Sequence, residues 1–211
     1  MHSELILASR SPRRTGLLTR LGVEFRQVIS GAPEVHKGDD HAASAGAAAL
    51  VKARSIADNH PGAIVIGADT IVISADGELL GKPENREAAV DTLMKLSGRH
   101  HTVFTGVAVV GPGADNFSVD AEETRVVMIP FSREEAERYV ASGEPMDKAG
   151  AYGIQVRGAL LVERIEGCYF NVVGLPLNLL RSMLEKHGIE TGEWLGPESG
   201  QGPSENGRND E

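Results

Sequence analysis

Ala63-Ile64-Val65-Ile66-Gly67-Ala68-Asp69-Thr70-Ile71-Val72-Ile73 is the most apolar stretch of the chain. Its β-branched residues predict a central strand, interrupted by Gly67, Asp69 and Thr70. An aspartate inside such a run is expensive to bury alone. It needs a metal, a cationic partner or hydrogen bonds to stay ionised. The plainer alternative is a strand-end carboxylate that faces solvent or caps a turn, but the apolar residues on both sides favour a functional one.

Working towards the N-terminus, the alanine-rich stretch from His41 to Asn59 predicts a helix, closed by Pro61-Gly62. Lys52 on that helix reads as part of its wet face. Val23 to Ile29 predicts a strand, and so does Leu5 to Ala8. Between these two, Ser11-Pro12 offers an N-cap and a first-turn proline, Leu17, Leu18 and Leu21 form an apolar face, and Gly22 ends the helix.

Towards the C-terminus, Ala75-Asp76-Gly77 turns the chain into Leu79-Leu80, and Gly81-Lys82-Pro83 is a polar break. Arg86 to Leu96 has helical spacing. Thr102 to Val110 and Phe117 to Ile129 predict strands joined through Gly111-Pro112-Gly113. Ser132 and Glu135 have capping-box spacing, which predicts a helix over 133–142. Gly158 to Ile165 and Cys168 to Val173 predict a hairpin across Glu166-Gly167, and Leu177 to His187 predicts the last helix. Helices that alternate with strands early, followed by hairpins, imply an α/β fold with a mixed sheet. Residues 1–190 are expected to form one domain. Residues 191–211, with Trp194 and Leu195 as their only large apolar groups, are expected to be a disordered tail.

Composition narrows the function classes. Hydrophobic residues make up 41% and charged residues 24%, which suits a folded soluble domain rather than a disordered or fibrous one. Acidic residues outnumber basic ones by 30 to 21, and a net charge of -9 disfavours sliding along nucleic acid. No run approaches the roughly 20 apolar residues of a membrane span, and no secretory signal is legible. A single cysteine, Cys168, allows no intramolecular disulfide and no cysteine zinc cage. A cytoplasmic protein is expected, with no membrane or nucleic-acid partner.

Two constellations carry chemistry. Ser9-Arg10-Ser11-Pro12-Arg13-Arg14 puts three guanidiniums at the start of a helix, where backbone N–H groups and the helix dipole favour an anion. A solvated basic helix start is the equal alternative, and no Gly-rich Walker loop is present. The second is Gly67-Ala68-Asp69-Thr70. Lys82, between Gly81 and Pro83, and Lys148, within the glycine-rich stretch Gly143 to Gln155, are further cations that suit a triphosphate pocket. The adjacent pair His100-His101 alternates faces on a strand and is expected to be structural. Spacing alone leaves Glu34 unassigned.

Leu7-Ala8-Ser9-Arg10-Ser11-Pro12-Arg13-Arg14, Gly67-Ala68-Asp69-Thr70, Gly81-Lys82-Pro83, the stretch Gly143 to Gln155 and Val172-Val173-Gly174-Leu175-Pro176-Leu177 together resemble the Maf family, from about Leu5 to about Gly188. Each motif alone is weak; their order is specific. The resemblance implies an elongated mixed β-sheet flanked by helices, with two lobes around a cleft, similar to the inosine triphosphate pyrophosphatases. It implies hydrolysis of nucleoside triphosphates to the monophosphate and pyrophosphate with a divalent cation, Mg²⁺ or Mn²⁺. Asp69-associated motifs in this chain would then supply Asp69, Lys82, Arg13 and Gln155 to catalysis. Ser9, Arg13, Arg14, Lys52, Thr70, Lys82 and Lys148 would bind substrate, and Asp69 and Glu34 would hold the metal.

The pattern Asp147-Lys148-Ala149-Gly150-Ala151-Tyr152-Gly153-Ile154-Gln155 resembles the subgroup acting on dTTP and UTP rather than on 7-methyl-GTP. Val156 departs from the glycine usual after that glutamine, and its side chain is expected to bear on the width of the loop. A homodimer is compatible with the likeness. A nucleotide-binding regulator of cell division or septum formation is the alternative reading of the same pocket, and a sugar-phosphate phosphatase is a third. Asp69 speaks for catalysis, because a pure binding site has little use for a carboxylate facing a triphosphate.

Overall fold

The computed structural model describes residues 3–33, 35–36, 38–113 and 115–196. Glu34 and the tail beyond 196 therefore lie outside the described residues. The strands are β1 (Leu5–Ala8), β2 (Arg26–Val28), β3 (Ile64–Ser74), β4 (Leu79–Leu80), β5 (His100–Val110), β6 (Phe117–Met128) and β7 (Val162–Glu166). The helices are α1 (Pro12–Arg20), α2 (His41–Ala57), α3 (Arg86–Leu96), α4 (Arg133–Ala141), α5 (Tyr169–Val173) and α6 (Leu177–Lys186).

All seven strands join one mixed sheet in the order β2-β1-β3-β5-β6-β7, with β4 attached to β3. β1 runs parallel to β2 and β3, whereas β3, β5, β6 and β7 pair antiparallel. β3 is the centre of the fold, and it is continuous rather than interrupted. Gly67, Asp69 and Thr70 stay in register opposite Ala108, Gly106 and Thr105. Their side chains disrupt nothing because the ladder uses only backbone groups.

The two faces of β3 meet different partners, as period-2 alternation requires. Ile64, Ile66, Ala68 and Val72 join the main core with residues of α1, α3, α4 and α6. Val65, Ile71 and Ile73 pack instead against the alanines of α2. This helix lies close against the sheet: a Cβ on Gly67 would sit 2.2 Å from the Ala49 carbonyl oxygen, and one on Gly106 would sit 2.2 Å from the Ala45 carbonyl carbon. Small residues on both surfaces therefore set the helix–sheet distance.

Three expectations are corrected. The second strand is only Arg26–Val28, an edge strand held by β1 alone, while Val23 is buried beside α1. Residues 168–173 are not a hairpin strand: Cys168 precedes the short helix α5. The cause is Asn171, whose buried amide donates to the Val103 carbonyl and the Thr124 hydroxyl, an anchorage that outweighs the β-favouring side chains around it. Residues 192–195, expected in the tail, form a 3₁₀ turn. Buried Thr191 donates to Glu185 at 2.5 Å, and Trp194 packs on the main core.

Candidate functional site

A cleft of about 500 Å³ opens where β1 ends beside β3. The β1–β3 register stops at Ala8 and Gly67, after which the chain leaves β1 into α1 while β3 continues to Ser74. The next part of the β3 edge is thus left without a neighbouring strand. This is the carboxyl end of a parallel pair, the usual place for ligands in open α/β sheets. The volume falls in the range of roughly 300–1,000 Å³ typical of small-molecule sites.

Arg14 closes the vacated edge. Its guanidinium donates to the Ala68 carbonyl at 2.9 Å, to the Gly174 carbonyl at 2.7 Å and to the Thr70 hydroxyl at 2.9 Å. It also reaches the Ser9 hydroxyl at 3.3 Å. These contacts give Arg14, expected to bind substrate, a structural post that ties α1 to β3 and to the turn after α5. Thr70, on the same face, is shared with Thr105 across the ladder. Both border the cleft.

Asp69 lies on the opposite face, towards α2, with its side chain 4% exposed. Lys52 Nζ stands 2.5 Å from Asp69 Oδ1. The lysine is not on the wet side of its helix: it sits three residues from Ala49 and four from Ala48 and Ile56, on the buried face. This contact is available because Gly67 and Gly106 let α2 approach the sheet. The second carboxylate oxygen, Oδ2, is buried and accepts no hydrogen bond from the described residues. His36 Nε2 stands 3.5 Å from it. His36 comes from the loop between β2 and α2; nothing in its sequence surroundings marked it.

The rest of the cleft is cationic. Arg10, Arg13, Lys82 and Lys148 border it, together with Ser9 at the entrance to α1. Ser11 makes no side-chain cap on α1, so the first-turn N–H groups of that helix are not satisfied by its own N-cap. Arg13 spans the cleft to Asp147 at 2.7 Å. Lys148 holds the same carboxylate at 2.6 Å and also the Glu144 carbonyl. Burial works against ionisation of Asp147, but the hydrogen bonds and charges of Lys148 and Arg13 prevail and hold it below the usual carboxylate range. Asp147 is thus an internal anion where a substrate anion is expected.

The far wall is the glycine-rich stretch. Glu144 organises it by accepting from Tyr139, from the backbone of Arg157 and from that of Gly158. Gly150 bonds back to the Gly81 carbonyl, joining this wall to the Lys82 turn. Its φ of +71° is the left-handed conformation that favours glycine. Tyr152 and Gln155 face the cleft. Val156 does not: its side chain is exposed and it is absent from the lining, so it leaves the width of the site unchanged. Behind Tyr152, buried His101 approaches the phenol at 2.8 Å, in line with a structural role.

A divalent cation is implied by the resemblance, and the residues present fit one in a restricted way. Among the described residues no group of three His, Cys, Asp or Glu side chains converges. One buried, unpartnered carboxylate oxygen does face a cleft lined by phosphate-binding chemistry. That matches Mg²⁺-type sites, which take one or two carboxylates and complete their shell with substrate phosphates and water. Of the expected site residues, the cleft brings together Ser9, Arg13, Arg14, Lys52, Asp69, Thr70, Lys82, Lys148 and Gln155.

The family model described as "Maf-like protein" matches residues 4–187. A protein of Dictyoglomus thermophilum named dTTP/UTP pyrophosphatase is 49% identical, with 89% of this chain and 98% of that one covered. One of the same name from Symbiobacterium thermophilum is 51% identical, covering 88% and 94%. Among solved structures, the Staphylococcus aureus Ham1 protein shares the fold at a TM-score of 0.52 and 16% identity, covering 88% of this chain and all of that one. Among the described residues no helix is long and apolar enough to cross a membrane.

Proposed function

Since the chain belongs to the Maf family, we propose that it hydrolyses dTTP and UTP to the monophosphate and pyrophosphate. The observation that carries this reading is a buried aspartate in the wall of a cationic cleft, with one oxygen held by Lys52 and the other without a hydrogen-bond partner among the described residues. The names of its relatives and the match of the wall 147–155 support the pyrimidine preference.

The roles follow from charge. A triphosphate shields its phosphorus atoms with anionic oxygens, so cations must neutralise them before water can attack. Arg13, Lys82 and the first turn of α1 take phosphate oxygens. Arg13 exchanges Asp147 for the substrate as it does so. Lys52 fixes the direction of the Asp69 carboxylate, leaving Oδ2 to orient water towards the α-phosphorus. A new P–O bond forms there, the bridging oxygen departs with pyrophosphate, and the proton of the water passes to the carboxylate and on to solvent. Tyr152 and Gln155 border the nucleoside. Mg²⁺ or Mn²⁺ held by Asp69 and the phosphates would supply further positive charge during this step. The acidic surface and single cysteine suit a reducing, cytoplasmic setting with a small-molecule substrate.

The test is a panel of nucleoside triphosphates in ¹⁸O-labelled water with Mg²⁺. dTTP and UTP should be the best substrates, with the label in dTMP and UMP. Label in pyrophosphate would move the attack to the β-phosphorus, and nucleoside diphosphate with orthophosphate would overturn the bond assignment. A regulator that binds without turnover would release no product at all.

A further inference from the structure

Asp69 and His36 each carry a buried polar atom with no hydrogen-bond partner among the described residues, and their side chains meet. Among the described residues Asp69 Oδ2 has no hydrogen-bond donor, and His36 Nε2 stands 3.5 Å from it. The His36 side chain is only 19% exposed, and its other nitrogen, Nδ1, is also buried without a partner. Lys52 is held by Oδ1, which leaves Oδ2 as the carboxylate oxygen that faces His36. Two adjacent ligands of an octahedral ion at about 2.1 Å stand roughly 3 Å apart. The observed separation of 3.5 Å is a few tenths of an ångström wider.

We propose that His36 is a metal ligand beside Asp69, so that the divalent cation is held by one carboxylate oxygen and one imidazole nitrogen in addition to the phosphates. This rests on the pyrophosphatase reading only in supplying a reason for a cation; the ligand pair itself is read from the geometry. An imidazole changes which ion is preferred. Carboxylate, phosphate and water suit Mg²⁺, whereas a nitrogen donor favours later first-row ions in the Irving–Williams order. The site should therefore bind Mn²⁺ and Co²⁺ ahead of Mg²⁺, and His36 rather than Asp69 should account for the margin.

The competing explanation is a direct His36–Asp69 ion pair, and it predicts the opposite sign. If His36 merely neutralises Asp69, removing it leaves the carboxylate more available to a cation. If His36 is a ligand, removing it weakens binding.

The test uses the intact protein at about pH 8, where a free imidazole is neutral, with Mn²⁺ as the only added ligand. Pulsed electron paramagnetic resonance on bound Mn²⁺ should show coupling to a directly coordinated ¹⁴N. That coupling should vanish in His36→Gln and in Asp69→Asn. Titration should show Mn²⁺ binding weakened on the order of tenfold or more in His36→Gln, with a smaller loss for Mg²⁺. Thermal unfolding confirms that both variants are folded. Absence of Mn²⁺ binding, absence of ¹⁴N coupling in the native protein, or equal or tighter binding by His36→Gln overturns the proposal. A parallel titration with α,β-methylene-dUTP separates the two readings: failure to bind this uncleavable nucleotide counts against the pyrophosphatase site and leaves the Mn²⁺ result to stand alone.

Discussion

Lys52 Nζ and Asp69 Oδ1 meet at 2.5 Å although one belongs to a helix and the other to the centre of the sheet. Both are buried, at 7% and 3% exposure. Taking either charge out of water is costly, and the contact between them offsets part of that cost. The pair fixes a carboxylate in a buried part of the cleft wall, where a fixed charge has more effect on a phosphorus centre than it would in water.

Breaking this pair from one side is expected to cost both stability and rate. Asp69→Asn breaks a buried ion pair from one side, a loss of about 3–5 kcal/mol and a fall in Tm of roughly 10 °C. Turnover should fall at least ~10²-fold, about 2.7 kcal/mol of transition-state stabilisation. The double variant Lys52→Met, Asp69→Leu should recover most of the stability and none of the turnover. Calorimetric melting and product assays on the three proteins check this. A double variant as unstable as the single would show that the pair is not the source of the loss.

Gly67→Ala tests how the pair is assembled. The new methyl group meets the Ala49 carbonyl at 2.2 Å, so α2 must move away from β3 and carry Lys52 with it. Overpacking of this kind costs about 1–3 kcal/mol, and turnover should fall with it, although Gly67 touches no substrate. Gly62→Ala, with nothing within 4 Å, is the control and should melt like the native protein. Equal melting of the two variants would mean that α2 does not depend on the gap at Gly67.

Arg13 and Arg14 are adjacent in sequence and should behave oppositely. Arg13 pairs with Asp147 at the cleft mouth, where both remain partly exposed. Such a pair contributes at most about 1 kcal/mol, so Arg13→Ala should barely change melting while raising KM and lowering kcat/KM. Arg14→Ala strips donors from the Ala68 and Gly174 carbonyls and the Thr70 hydroxyl. With about 1–3 kcal/mol for each buried group left unsatisfied, it should unfold several degrees earlier. The measurement is a melting curve beside a substrate titration for each variant.

That contrast also shows what was legible in the sequence. Periodicity, caps and glycine breaks located β1, β3, β5 and β6 and the long helices, because those signals are local. The family resemblance named nine residues that line the cleft, yet it could not separate Arg13 from Arg14, since their difference lies in where β1 stops against β3. Lys52 was read on the wrong face for the same reason: alanine covers its helix nearly all round, and only the sheet decides which side is buried. The helix α5 was missed because Asn171 finds its partners on β5 and β6. His36 has no local signal, and its proximity to Asp69 exists only in the folded chain.

His101 provides a pH test that is independent of any ligand. It is fully buried against Tyr152 on the core side of the cleft wall, and burial first, then the neighbouring charge of His100, pushes its pKa down from 6.5 to about 4. In the unfolded chain the same imidazole titrates near about 6.5. Above that value both states are neutral and His101 adds no pH dependence. As the pH falls from 6.5 towards 4, the unfolded state takes up a proton that the folded state refuses, so stability declines over this window by about 3 kcal/mol. Below 4 both states are protonated and the slope from this group ends. His187, lowered by partial burial at the surface, acts in the same direction with less weight. His101→Leu removes the larger contribution while leaving the Tyr152 hydroxyl without its partner, so it should be less stable than the native protein at pH 7 but lose less on acidification. Urea unfolding of both proteins at several values between pH 7 and 4 measures the two slopes. Parallel curves would mean that His101 already carries its proton in the fold, with Tyr152 as the acceptor, and the wall of the cleft would then hold a buried positive charge.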